Sequence, residues 1–279
     1  MGRGMSLADL PPLRESLAAA GLLADKRLGQ HFLLDLNICR KIARLADPEG
    51  GQTVLEIGPG PGGLTRALLE SGASVVAVER DERFLPLLAE IGARAPGQLT
   101  LVHADAMHID EIALAGEGAM VVANLPYNIG TPLLIRWLTG PFRPSRMTLM
   151  FQKEVAARIV APPGSDDYGR LAVISQFLAQ VQIVMDLPAR AFTPPPKVAS
   201  AVVRLIPHAQ RPPQAVIDAV QTVTAAAFGQ RRKMLRSALR GIGGEPLCAR
   251  AEIDPNLRAE TIPVTGFLAL AQAWLAMRA

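Results

Sequence analysis

Thr53-Val54-Leu55-Glu56-Ile57-Gly58-Pro59-Gly60-Pro61-Gly62-Gly63 is the stretch that decides how this chain folds. A short β-branched run breaks into glycines and leads into 64–70, where apolar residues fall at helical spacing. Strand, glycine turn and helix open a β-α-β unit, and such a turn lets a ligand approach the backbone beside a helix N-terminus. Gly58, Gly60 and Gly63 also satisfy the dinucleotide pattern G-x-G-x-x-G. The glycines alone therefore leave NAD and S-adenosylmethionine both open. Glu56 before them, and Pro59 and Pro61 among them, lean towards the methyl donor.

Outward from this turn, strand and helix patterns alternate. Segments 74–78, 99–102, 120–123 and 147–151 read as further strands, with helices at 84–91 and 131–138. Two more helical patterns, 153–160 and 171–178, precede strands at 181–185 and 199–205. No helix separates those last two strands, so one is expected to run antiparallel. Upstream, 9–25 carries a helical pattern, and Asp35 is placed to cap a helix through Ile38, Ile42 and Leu45. The expectation is an α/β fold with a Rossmann-like, mostly parallel sheet of seven strands, covered on both faces. Pro207-His208-Ala209-Gln210-Arg211-Pro212-Pro213-Gln214 then reads as a linker. Beyond it only helical patterns follow, at 215–228, 231–239 and 267–277. Two domains are expected: 1–206, binding the donor, and a small all-helical 207–279.

Composition excludes several classes. Of the 279 residues 49% are hydrophobic and 19% charged, which rules out a disordered chain. The net charge of +4 is uneven: basic and acidic residues number 20 and 20 in 1–206, but 9 and 5 in 207–279. That surplus points to an acidic partner or to a solvated helix face. Cys39 and Cys248 cannot form a disulfide framework or a Cys-x-x-Cys site, so they are expected to be buried thiols in a reducing compartment. The four histidines are too scattered for a metal site. No secretory signal is apparent at the N-terminus, and 262–277 is too short to span a bilayer and contains Gln272. A cytoplasmic, membrane-free protein without a metal is expected.

Chemistry gathers at the strand ends. Glu79 lies 21 residues after Gly58, where a carboxylate can take both hydroxyls of a ribose. Asp105 follows the third strand and can accept from an adenine amino group. The most specific signal is Asn124-Leu125-Pro126-Tyr127, after the fourth strand. An Asn amide oxygen and the Leu125 carbonyl can accept from an exocyclic NH₂ group, and Tyr127 can stack on its ring. An adenine amine is a poor nucleophile because its lone pair is delocalised. Two acceptors favour pyramidal geometry and free that pair.

With these residues in view, the chain resembles the adenine dimethyltransferases of small-subunit ribosomal RNA. The resemblance runs from about Lys26 to the helical tail. It rests on Gly29-Gln30-His31-Phe32-Leu33, the 56–63 loop, Glu79, Asp105, Asn124-Leu125-Pro126-Tyr127-Asn128 and Phe192-Thr193-Pro194-Pro195-Pro196-Lys197-Val198. It implies S-adenosylmethionine-dependent dimethylation of two adjacent adenines in a hairpin loop near the 3′ end of 16S ribosomal RNA, by an enzyme that is a monomer when free. It implies that His31, Leu33, Gly58, Gly60, Glu79, Asp105, Ala106 and Asn124 hold the donor. Asn124, Leu125, Pro126 and Tyr127 would form the catalytic loop, and Tyr127 and Phe192 would sandwich a flipped adenine. His31 departs from the pattern, since many members carry Asn there. No general base is apparent in the sequence.

Arg231-Arg232-Lys233-Met234-Leu235-Arg236-Ser237-Ala238-Leu239-Arg240 carries five cations and no acid. Read as a helix, it buries Met234, Leu235, Ala238 and Leu239 and presents Arg231, Arg232, Arg236 and Arg240 outward. Beside an RNA-type site, these cations and Lys233 are expected to contact phosphates. Rival readings are a large-subunit (23S) dimethyltransferase of the macrolide-resistance type, a non-catalytic assembly or transcription factor on the same fold, and an NAD oxidoreductase.

Overall fold

The computed structural model describes residues 6–24, 30–48 and 51–278. They form two compact units. The first comprises 1–137, 142–156 and 182–206, and the second 138–141, 157–181 and 207–279.

The first unit is organised by a seven-stranded sheet. Its strands are β2 (Thr53–Ile57), β3 (Ser74–Glu79), β4 (Leu99–His103), β5 (Met120–Asn124), β6 (Met147–Gln152), β7 (Ala179–Leu187) and β9 (Ser200–Pro207). In space they lie in the order β4-β3-β2-β5-β6-β9-β7. β4, β3, β2, β5 and β6 pair in parallel, and β9 runs antiparallel to β6. Residues 54–57 of β2 and 120–123 of β5 are buried without alternation, as parallel strands covered on both faces must be. The chain passes from β2 outward to β3 and β4, then returns to place β5 on the other side of β2. That reversal opens a crevice at the C-terminal ends of β2 and β5, where ligands bind in open α/β sheets.

The covering helices include α2 (Leu36–Ala46), α3 (Gly63–Glu70), α4 (Leu85–Arg94), α5 (Glu111–Ala115) and α6 (Gly130–Thr139), after α1 (Leu13–Ala19) near the N-terminus. A further helix, α7 (Lys153–Val160), follows β6 directly. Asp35 caps α2 by accepting from the Asn37 N–H at 2.8 Å, as the sequence predicts. A two-stranded ribbon was not anticipated. It pairs β1 (Phe32–Leu33) with β8 (Phe192–Thr193), facing Leu33 with Phe192. Two-residue strands carry no periodicity, so only their long-range pairing defines them.

The second unit is helical, built on α8 (Arg170–Leu178), α9 (Gln214–Gly229), α10 (Leu235–Ala238), α11 (Gly244–Arg250) and α12 (Val264–Ala276). Tyr168, Val220, Val223, Leu239, Leu247 and Phe267 lie in its core, and the Tyr168 hydroxyl donates to the Ile262 carbonyl at 2.9 Å. The proline-rich 207–214 segment is anchored: the Arg211 guanidinium donates to the Leu138 and Gly140 carbonyls, both at 2.8 Å. The helix expected over 231–239 requires correction. Residues 231–233 form a turn, Met234 bridges Arg258, and only 235–238 are α-helical. The backbone N–H groups of Leu235 and Arg236 donate to Leu257 and Pro255 instead of to the preceding turn, which ends any continuous helix there. Met234, expected on a buried face, is 41% exposed for the same reason. Among the described residues no helix is long and apolar enough to cross a membrane.

Candidate active site

A cleft of about 250 Å³ opens at the crevice in the first unit. The glycine turn after β2 forms one wall. Gly60 adopts φ 53°, a left-handed conformation natural to glycine, and its N–H donates to Glu79 Oε2 at 2.9 Å. Gly63 is required by close approach: a Cβ there would stand 2.9 Å from the Leu33 carbonyl. The loop is thereby fitted against both the end of β3 and the ribbon.

Two acids stand behind it. Glu79 is 6% exposed, and its second oxygen accepts the Asp81 N–H at 2.8 Å. Burial pushes its pKa up, against the lowering effect of these backbone bonds. Glu56 is 1% exposed, accepts from the Thr65 hydroxyl at 2.7 Å, and is pushed up to about 8 by burial. Backbone N–H groups thus occupy part of the Glu79 acceptor capacity, and the remainder can accept from a ligand hydroxyl. Asp81 is held well below the usual carboxylate range, chiefly by the Arg83 guanidinium.

Beyond β4, Asp105 accepts from the Met107 N–H at 2.9 Å and lies 3.2 Å from the Arg80 guanidinium. The turn it begins is fixed from behind. Arg136, on α6, donates to the Met107 carbonyl at 2.7 Å and the Ala106 carbonyl at 2.8 Å, and pairs with Glu111. Glu111 also accepts from Trp137 Nε1 at 2.7 Å. Sequence reading missed Arg136 and Glu111. The available signal was one arginine on a helix that otherwise buries Leu133, Leu134, Trp137 and Leu138.

Beyond β5, Pro126 closes a turn whose carbonyl accepts the Ile129 and Gly130 N–H groups, both at 3.1 Å, at the start of α6. Asn124 Nδ2 donates to the His31 carbonyl at 3.2 Å. The half-buried Tyr127 ring stacks on the His31 imidazole, with centroids 5.6 Å apart and planes at 30°. Its hydroxyl pairs with Ser200 Oγ at 2.9 Å, and burial pushes the phenol pKa up.

His31, Leu33, Gly58, Gly60, Glu79, Asp105, Ala106, Asn124, Leu125, Pro126 and Tyr127 thus all line this one cleft. Phe192 does not. It is 3% exposed and packed in the core of the first unit, opposite Leu33 on the ribbon. Lys26 to Gly29, the start of one predicted motif, lie outside the described residues. Arg231, Arg232, Lys233, Arg236 and Arg240 belong to the second unit, and all are exposed. Arg231 is already engaged, with Glu260 at 3.0 Å and the Asp166 carbonyl at 2.6 Å.

The cleft suits a small cationic nucleoside. Ile57, Val78, Leu125 and Pro126 give it apolar walls, and Glu56, Glu79, Asp81 and Asp105 line it together with the single guanidinium of Arg80. Such a set offers carboxyl oxygens to ribose hydroxyls beside apolar walls for a flat base, while Glu56, raised to about 8, adds no negative charge at neutral pH. Among the described residues no cluster of three metal-ligating side chains occurs.

Residues 21–274 match the family model for ribosomal RNA adenine dimethylases. The chain is 67% identical over 275 residues to the ribosomal RNA small subunit methyltransferase A of Phenylobacterium zucineum, covering 98% of this chain and 96% of that one. The protein of the same name from Caulobacter vibrioides is 66% identical over 253 residues, with coverages of 91% and 98%. Among solved structures, a dimethyladenosine transferase from Plasmodium falciparum superposes with a TM-score of 0.73 at 25% identity, over 86% of this chain and 96% of the other. The 23S rRNA methyltransferase ErmE gives 0.67 at 26% identity, over 87% and 98%.

Proposed function

The chain belongs to the ribosomal RNA adenine dimethylase family, and from that premise we propose that it dimethylates the exocyclic amines of two adjacent adenines near the 3′ end of 16S ribosomal RNA. It is an S-adenosylmethionine-dependent methyltransferase of small-subunit ribosomal RNA. The observation that carries the residue-level reading is the Asn124–Tyr127 loop, which stands at the switch point of the sheet and in the same cleft as Glu79 and Asp105.

The donor, when bound, supplies a sulfonium-activated methyl group. Glu79 accepts from its ribose, and Asp105 with the turn at Ala106 takes its adenine. Leu33 and Gly58 border it, and His31 lies beside it. Asn124 Oδ1 and the Leu125 carbonyl accept from the target amine and turn its lone pair toward the methyl carbon. Pro126 fixes the turn that presents both acceptors, and Tyr127 stacks on the flipped base. Positioning is the main source of rate for an in-line displacement of this kind. A stacking role for Phe192 requires its ring to leave the core in which it is packed.

Residues 207–279 serve as the RNA-contacting part, through Arg232, Lys233, Arg236 and Arg240, with Arg231 contributing less because of its engagement with Glu260. The enzyme acts as a monomer in the cytoplasm, on RNA within the small subunit. Incubating the purified enzyme and labelled donor with small and large subunits from cells lacking the modification tests this reading. Label should enter the small subunit alone, and mapped reverse-transcription stops should fall at two adjacent adenines. Label confined to the large subunit would overturn it.

A further inference from the structure

The His31 imidazole is fixed by two contacts. Its Nδ1 lies 2.8 Å from the Pro194 carbonyl oxygen, and its ring stacks on Tyr127. A carbonyl oxygen only accepts, so Nδ1 carries hydrogen and Nε2 is the lone-pair nitrogen of the neutral ring. The same residue is tied to the catalytic loop through its backbone, where Asn124 Nδ2 donates to its carbonyl, and it lines the cleft. The imidazole, the Tyr127 ring it stacks on and the Asn124 amide, which meets His31 at its backbone carbonyl, therefore border one cleft, drawn from segments about ninety residues apart.

Methyl transfer to an amine leaves a proton to be removed, and none of the residues given a role above takes it. We infer that His31, through Nε2, accepts the proton of the target amine. This rests on the methyltransferase reading of the cleft. As the new N–C bond forms, the carbon–sulfur bond breaks and its electron pair goes to sulfur. The N–H bond of the cationic amine then breaks, its pair stays on nitrogen, and the proton passes to Nε2. The resulting imidazolium keeps its Nδ1–H bond to Pro194, which charge strengthens, and it releases the proton to water once the base leaves. Glu56 faces the cleft from the end of β2, and Glu79, Arg80 and Asp81 from the end of β3. Asp105 and His108 face it from beyond β4, and Tyr127 from beyond β5. Among the described residues, no charged side chain of 192–198 lines it.

The test compares wild type with His31→Asn, which keeps a polar side chain but has no basic nitrogen. Single-turnover methylation of small subunits is followed across pH, with Glu56→Gln and His108→Ala as controls for the other groups that titrate in the cleft. His31→Asn should slow transfer about a hundredfold at neutral pH. It should also erase an acidic limb that wild type and both controls retain. Donor affinity, by calorimetry, should change much less than the rate. Nitrogen-15 spectra of histidine-labelled free enzyme should show the His31 ring as the Nδ1–H tautomer. A limb that persists in His31→Asn, a lost donor affinity with the limb intact, or an Nε2–H tautomer would each overturn the assignment. If wild type labels no small subunit, the functional reading fails instead, and the tautomer measurement still judges the imidazole.

Discussion

Glu79 holds the glycine turn in place from the neighbouring strand: its Oε2 accepts the Gly60 N–H at 2.9 Å while its Oε1 accepts the Asp81 N–H at 2.8 Å. One carboxylate thus sets the geometry of two loops and faces the cleft between them. Glu79→Gln turns one of these acceptors into a donor that meets a backbone N–H. A buried mismatch of this kind costs about 1–3 kcal/mol. Donor affinity should fall about ten- to a hundredfold, with far-ultraviolet circular dichroism unchanged. An unchanged Kd by calorimetry would reduce Glu79 to a purely structural brace.

Glu56 makes stability depend on pH. Burial pushes its pKa from 4.5 to about 8 in the folded protein. Between those values the folded state holds a proton that the unfolded state has lost, so stability is greatest below the unfolded pKa and falls as pH rises toward 8. The limiting slope for one group is about 1.4 kcal/mol per pH unit. Glu79, also raised by burial, adds in the same direction. Denaturant unfolding should show stability declining from pH 5 to 8, and Glu56→Gln should flatten that decline. Equal slopes in the two proteins would disprove the assignment.

The sheet was legible in the sequence because most of its strands are short, largely apolar runs, and those at the crevice end in loops of distinctive composition. Glycine turn, Glu79, Asp105 and the Asn124 loop could therefore be ordered before their contacts were known, and one cleft receives them all. Three features were not legible. The 32–33 and 192–193 ribbon is two residues long on each side and defined only by pairing across 160 residues. The 231–239 pattern has helical spacing, but backbone bonds to 255–257 outcompete the helix. Arg136 works through backbone carbonyls of another segment, which no spacing rule marks.

Tyr127 offers a ring and a hydroxyl with separable roles. Tyr127→Phe removes the bond to Ser200 and keeps the face, and should slow methylation only a few-fold. Tyr127→Ala removes the stacking platform, worth about 1–3 kcal/mol per base, and should lower kcat/KM for the subunit ten- to a hundredfold with little change in donor Kd. Asn124→Ala should abolish turnover, since it removes the side-chain acceptor for the amine and the bond to the His31 carbonyl. Turnover within a few-fold of wild type would refute the role of Asn124.

The basic segment of the second unit should be read by salt dependence. Arg231 is engaged with Glu260 and Asp166, while Arg232, Lys233 and Arg236 are exposed. Replacing those three by Ala should weaken subunit binding and lower the salt slope by about one unit for each phosphate no longer neutralised. Arg231→Ala should change the slope least. Donor affinity should stay constant throughout, and an unaltered slope in the triple variant would show that this face does not meet RNA.

Arg136 braces both the Glu111 ion pair and the turn beside Asp105, and the two effects can be separated. Its guanidinium holds the Ala106 and Met107 carbonyls and pairs with the buried Glu111. Arg136→Met leaves Glu111 with Trp137 as partner, and should destabilise by about 2–3 kcal/mol, below the range for a fully buried pair because the arginine is partly exposed. Arg136→Lys should rescue little, since one ammonium cannot reproduce a planar fork that reaches two carbonyls and a carboxylate. Arg136→Met combined with Glu111→Leu removes the stranded charge and should recover most of the stability. The turn beside Asp105 would still lack its brace, so donor KM should stay raised several-fold while kcat changes little. If the double variant recovers both stability and KM, Arg136 serves only the ion pair and not the turn that receives the donor.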